Sequence, residues 1–235
     1  MSDDIKQPIL NIEQMQNAGL NFGHRVSKLH PKMKQYVAGI KSNVHMLDLE
    51  KTVQEFERAL KYIATLASES KTMLFVGTKI QIRDLVKNTA ESCNMPYVIE
   101  RWMGGTFTNF GTISKRVAYF KELEDKKATG GLGKYTKKER SLFDRELEIL
   151  RKKFEGIKNM IKLPEAVLIL DLRKDLTCQR EARRKGIKII GIVDTNVDPN
   201  LADYPIPAND DAISSVRYIL EKIQETIVCC KAVTF

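Results

Sequence analysis

Residues 166–194 read AVLILDLRKDLTCQREARRKGIKIIGIVD. Two apolar runs, AVLILDL and IKIIGIVD, enclose a charged stretch whose residues 175–185 read as a helix. A short continuous apolar run is the pattern of a strand buried on both faces, and strand, helix, strand at these lengths makes a parallel pair. The rhythm extends in both directions. Downstream, a helix follows NDD with Ile213, Val216, Leu220, Ile223 and Ile227 on one face. Upstream, TMLFVG and PYVIE read as strands around a helical pattern through Leu85, Val86 and Ala90. Before them NVHMLDLE alternates like a strand, and Val53, Phe56, Leu60, Ile63, Ala64 and Ala67 recur at helical spacing. Near the start, Asn11 caps a short helix that Gly19 ends. The expected fold class is α/β: a three-layer, Rossmann-like parallel sheet with helices on both faces.

Residues 111–160 interrupt this rhythm. Ile113, Val117, Phe120 and Leu123 make one apolar stripe; after the turn ATGGLGK, Leu142, Phe143, Leu147, Leu150, Phe154 and Ile157 make a second. Thr136 followed by Glu139 fits a capping box at the start of the second helix. The expectation is a protruding coiled-coil hairpin at 111–160, inserted into an α/β domain built from 1–110 and 161–235. That segment carries 10 Lys and 4 Arg against 6 Glu and 2 Asp, a net +6. Most of those charges read as the solvated face of two packed helices, with the excess placed on an exposed projection.

The whole chain of 235 residues has 39 Lys and Arg against 30 Asp and Glu, a net charge of +9, which favours a polyanionic partner. Cys93, Cys178, Cys229 and Cys230 form no CxxC pair, so reduced thiols are expected rather than a disulfide framework. The N-terminal MSDDIKQPIL has early acids and no long apolar run, and nothing approaches the ~18 apolar residues of a membrane span; a soluble cytosolic protein is the expectation.

Two basic stretches flank the sheet. From His24 to Lys41 there are five cations, among them Arg25, Lys28, Lys32 and Lys34, and no acid, in a segment broken by Gly and Pro that reads as a loop. Residues 101–110, RWMGGTFTNF, put close-approach glycines (Gly104, Gly105) beside Arg101, Thr106, Thr108 and Asn109. Cations for phosphates, hydroxyls and amides for sugar and phosphate oxygens, and permissive backbone are what recognition of an RNA backbone needs. Lys79, Lys115 and Arg116 complete the RNA-binding candidates together with His24. Trp102 reads equally as a packing anchor and as a stacking platform.

The competing reading is a cytosolic enzyme that uses phosphate or nucleotide at the carboxyl edge of the sheet, with Lys79, Asp171 and Asp194 as its best residues. FVGTK lacks the glycine spacing of either phosphate-binding fingerprint, which argues against it. Asp194 and Asp198 in VDTNVDP read as turn formers. His24, His30 and His45 match no common zinc spacing, so no metal and no cofactor are expected.

Taken in order, GLNFGHRVSKLHPKMKQYVAG, VHMLDLEKT, LFVGTK, RWMGGTFTNF, LPEAVLILD and GIVDTNVDPNLADYPIPANDDAI resemble the bacterial ribosomal protein S2 family over almost the whole chain. The resemblance implies a flavodoxin-like α/β sandwich with a coiled-coil hairpin, no catalysis, and a place between head and body of the small ribosomal subunit. There it implies contacts with small-subunit ribosomal RNA and with the OB-fold-repeat ribosomal protein that captures messenger RNA, in the cytoplasm or, less expectedly, a plastid. One position departs: the family usually has His before Phe-Gly-His, where this chain has Asn21, so a metal role resting on paired histidines there is not implied for this chain.

Overall fold

The computed structural model describes residues 8–131 and 135–232, so the last three residues of the expected ATGGLGK turn and most of MSDDIKQPIL lie outside the described residues. Helix α1 (Ile12–Asn17) starts as expected: the Asn11 side chain accepts the backbone N–H groups of Glu13 and Gln14. Gly19 follows it in the left-handed region, φ +79.

The basic stretch 24–41 is not a loop. It folds as strand β1 (Phe22–Arg25), two 3-10 turns (Val26–Lys28 and Pro31–Tyr36) and strand β2 (Val37–Lys41), and both strands pair antiparallel with β3 (Val44–Leu47) in the order β1-β3-β2. Pro31 does exclude a continuous helix, but a 3-10 turn accepts proline at its first position and shortens the path, so the chain can return as a hairpin. The hairpin closes at Ser42 and Asn43, both at positive φ, with Lys41 paired to Val44.

Asp48 caps α2 (Leu49–Ser68) through the N–H of Glu50, 3.1 Å away. The main sheet then follows: β4 (Met73–Val76), α3 (Arg83–Ser92), β5 (Tyr97–Val98), α4 (Phe110–Ala128), α5 (Lys137–Phe154), β6 (Ala166–Ile169), α6 (Leu176–Lys185), β7 (Lys188–Val193), β8 (Tyr204–Pro207) and α7 (Ile213–Ala232). Its five strands are all parallel in the order β5-β4-β6-β7-β8, the flavodoxin-like arrangement with its topological switch at β4 and β6. Strand β8, YPIP, escaped the sequence reading because proline removes ladder donors; at the outermost position it is tolerated.

Alternation along the strands divides the core into two. Met73, Phe75, Leu168, Ile190, Ile192 and Ile206 pack with α2, α3 and α7. Leu74, Val76, Val167, Ile169, Ile189 and Val193 face the other way, against α4, α5 and α6. The three expected layers are therefore present. Ile113, Val117, Phe120 and Leu123 of α4 meet Leu147, Leu150 and Phe154 of α5, and this seam runs without a break into the second core at Val98, Trp102 and Phe107. Leu142 does not join it, being 59% exposed. The Thr136 and Glu139 capping box forms in both directions. Lys127 with Asp144, and Arg151 and Lys158 with Glu124, tie the two helices along their exposed edges.

Just past α5, Gly156 lies against β5: a β-carbon there would overlap the carbonyl oxygen and ring of Tyr97. Replacing Gly156 by Ala must move the hairpin base off the sheet. The expected cost in urea unfolding is ~1–3 kcal/mol, as for other overpacked sites, and a change below a few tenths would show that the packing there is loose.

Candidate nucleic-acid interface

The segment 101–109 leaves β5 and leads into α4, and its glycines and threonines close around an anion that belongs to the chain itself. The carboxylate of Glu181, on α6 and 5% exposed, accepts hydrogen bonds from Trp102 Nε1 (3.2 Å), Gly105 N–H (2.8 Å), Phe107 N–H (3.0 Å), Thr108 N–H (3.1 Å) and Thr108 Oγ1 (3.1 Å). Gly105 makes this possible with φ +94, a conformation that points successive N–H groups inward. Burial pushes the Glu181 carboxyl up, but the donors from Gly105, Thr108, Phe107 and Trp102 together hold it below the usual carboxylate range.

Three sequence candidates take part in this arrangement. Gly105 and Thr108 spend their donors on Glu181, and buried Thr106 donates its hydroxyl to Met103 O (2.6 Å). Asn109 accepts the Thr112 hydroxyl through Oδ1, 2.9 Å away, while remaining exposed, and Gly104 is open to solvent. Trp102 packs edge-on to Phe107, centroids 4.9 Å apart, as an anchor rather than a platform.

A second charged cluster lies at the carboxyl edge of the sheet. Lys79 Nζ lies 3.0 Å from Asp171, 3.0 Å from Asp210 and 2.8 Å from Asp211, so its charge is already balanced and its side chain is only 16% exposed. Thr78 donates to Asp175 (2.9 Å), and Lys174 Nζ donates to Thr78 O (3.0 Å). This is the switch-point crevice where flavodoxin-like sheets take phosphates. Here it is filled by carboxylates that would repel one.

His24 belongs to the same basin. Its Nδ1 is 3.0 Å from Asp194 and its Nε2 3.4 Å from Asp211. The Asp194 hydrogen bond raises its pKa, burial opposes, and the charges of Asp194, Asp210 and Asp211 add to the rise. His24 N–H and His30 N–H also donate to the Thr195 hydroxyl and carbonyl, 2.8 Å each, which locks β1 and the following turns to the end of β7. His45 is buried elsewhere in β3, and His30 Nδ1 accepts the Lys32 N–H. Among the described residues no group of three or more His, Cys, Asp or Glu side chains is arranged to hold a metal ion.

Besides Gly104, Thr108 and Asn109, the exposed members of the candidate set are cations. Arg25, Lys28 and Lys34 surround the small sheet, Arg101 stands at the mouth of the Glu181 loop, and Lys115 and Arg116 lie near the start of α4; none forms a salt bridge among the described residues. Lys32 is exposed but pairs with Asp198 at 2.7 Å. Sequence reading missed Glu181, an acid in a basic helix with no local mark of its role.

A model of the family described as Ribosomal protein S2 matches residues 15–229. The chain belongs to the ribosomal protein S2 family. It is 42% identical over 219 residues to a protein of Rhodomonas salina named small ribosomal subunit protein uS2c, covering 93% of this chain and 90% of that one. It is also 42% identical over 220 residues to small ribosomal subunit protein uS2 of Synechocystis sp., covering 94% of this chain and 82% of that one. The family consists of structural ribosomal proteins and not enzymes, which sets aside the reading of Lys79, Asp171 and Asp194 as a catalytic set.

Two measurements probe this geometry. Glu181→Gln replaces an acceptor by a donor facing N–H groups; it should cost ~2–3 kcal/mol in urea unfolding, the scale of hydrogen bonds to a charged group, and shift the emission of the sole tryptophan. An unchanged midpoint would mean the loop holds itself. In the basin, burial and then the charge of Asp171 push the Asp210 carboxyl up to about 7, against the pull of Lys79. The folded chain then keeps a proton that the unfolded chain releases, so this group makes stability fall as pH rises from its usual 3.8 toward about 7. Asp210→Asn should flatten the melting temperature across that window; a slope equal to the parent's would contradict it.

Proposed function

We propose that this chain is a structural constituent of the small ribosomal subunit that holds ribosomal RNA by its backbone and shape, through Arg25, Lys28, Lys34, Arg101, Lys115 and Arg116. Membership of the ribosomal protein S2 family carries the reading, and the unpaired cations support it. No helix is offered for reading base edges in a groove; structured RNA needs none, because phosphates and 2′-hydroxyls suffice. In this reading the chain sits between head and body, helps to anchor the OB-fold-repeat protein that captures messenger RNA, and uses the 111–160 hairpin as an RNA-facing or protein-facing arm.

Sedimentation of a native extract through a sucrose gradient is the direct test. The chain should travel with the small subunit and be released as salt rises. A position at the top of the gradient at low salt would overturn the proposal. At the residue level, Arg101→Ala with Lys34→Ala should weaken RNA binding and lower its logarithmic salt dependence by ~0.9 for each duplex phosphate left without its cation, with melting temperature unchanged because both side chains are exposed. An unchanged salt dependence would remove these two residues from the interface.

A further inference from the structure

Between the Glu181 loop and the last turns of α5 lies an open cleft of about 450 Å³, lined by Glu100, Arg101, Trp102, Met103, Gly104, Ile149, Lys152 and Lys153. Its cations come from both walls: Arg101 from the loop after β5, Lys152 and Lys153 from α5. All three are exposed and none forms a salt bridge among the described residues. The carboxylates nearby are committed elsewhere, Glu100 to Arg83 at 2.9 Å and Glu155 to Arg151 at 3.5 Å. The floor is apolar, and Ile149, on the outer face of α5, is 46% exposed and contributes nothing to either core cluster.

Cations on two walls above an apolar floor match a specific chemistry. A duplex shows a protein mainly phosphate and sugar, and would leave Ile149 and Met103 without a partner. An unpaired nucleotide presents a phosphate and an exposed base together, and single-stranded RNA is held by such pairs of contacts. We infer that this cleft seats an unpaired nucleotide of the RNA, its flanking phosphates on Arg101, Lys152 and Lys153 and its base against Ile149 and Met103. The Glu181 carboxylate positions this site, because it sets the path of the loop that carries Arg101. The inference rests on the ribosomal reading above and adds to it a site and the class of RNA element it takes.

The test uses small subunits assembled in cells with Ile149→p-benzoylphenylalanine, purified by gradient and irradiated. Crosslinking to an unpaired position of the ribosomal RNA, abolished in the Lys152→Ala, Lys153→Ala background while the chain still co-sediments, supports the site. Co-sedimentation with crosslinks only to helical RNA or to a protein, or with none, overturns the site and leaves the ribosomal reading standing. Absence of the unsubstituted chain from the subunit fraction overturns both. An independent measurement uses the isolated full chain and a labelled oligouridine. Replacing Arg101, Lys152 and Lys153 by Ala should lower the logarithmic salt dependence of binding by about 1.4, at ~0.7 for each of the two flanking phosphates, and an unchanged slope would again overturn the site.

Discussion

The contact on which the surface of this protein depends is between the Glu181 carboxylate and the donors of residues 102–108. It joins the exit of β5 to α6 across the second core and fixes where α4 begins. A buried carboxylate that lacked these donors would be costly, and five inward-pointing donors without an anion would be too. Each therefore stabilises the other. Trp102 and Phe107, edge to face, bring the loop's apolar side into the same core as the α4 and α5 seam. The outward side is left with Arg101, whose position is decided by bonds it does not itself make.

A similar compensation organises the same carboxyl edge of the sheet beyond β4, β6 and β7. Asp171, Asp194, Asp210 and Asp211 converge on Lys79 and His24, so the crevice at the strand carboxyl ends serves as a latch. Through His24 it draws in β1, and through the Thr195 hydroxyl and carbonyl it holds the turn that carries Lys32. The same residues that would suggest a nucleotide site in a flavodoxin-like sheet here consume one another's charge. Arg25, Lys28, Lys34, Arg101, Lys115 and Arg116 stay exposed and form no salt bridge among the described residues, which is the division of labour expected of a protein whose partner is polyanionic.

Much of the architecture was legible in the sequence because periodicity reports burial directly. The apolar runs of β4, β6 and β7, the one-sided stripes of α2 and α7, and the caps at Asn11 and Thr136 depend on neighbours within a few residues. Of the small antiparallel sheet only β3 was legible, and β8 was not: β2 is exposed along most of its length, and β8 contains two prolines, so neither carries an apolar signature. Leu142 shows the limit of counting in a helix, since one position beyond the seam places an apolar side chain in water.

By itself, the sequence determined the layered parallel sheet, the helical hairpin, the positive surface and the family, because these follow from local periodicity, composition and ordered motifs. Only the tertiary structure decided which polar groups face a partner. RWMGGTFTNF has the composition of an anion-binding loop, and it is one; that its anion is Glu181, 73–79 positions further along the chain, follows from the packing of α6 beneath it. Whether a cation such as Lys79 or Arg101 is free depends on which carboxylates the fold brings within a few ångströms. Charge pairing is a matter of distance in space, and sequence spacing does not encode it.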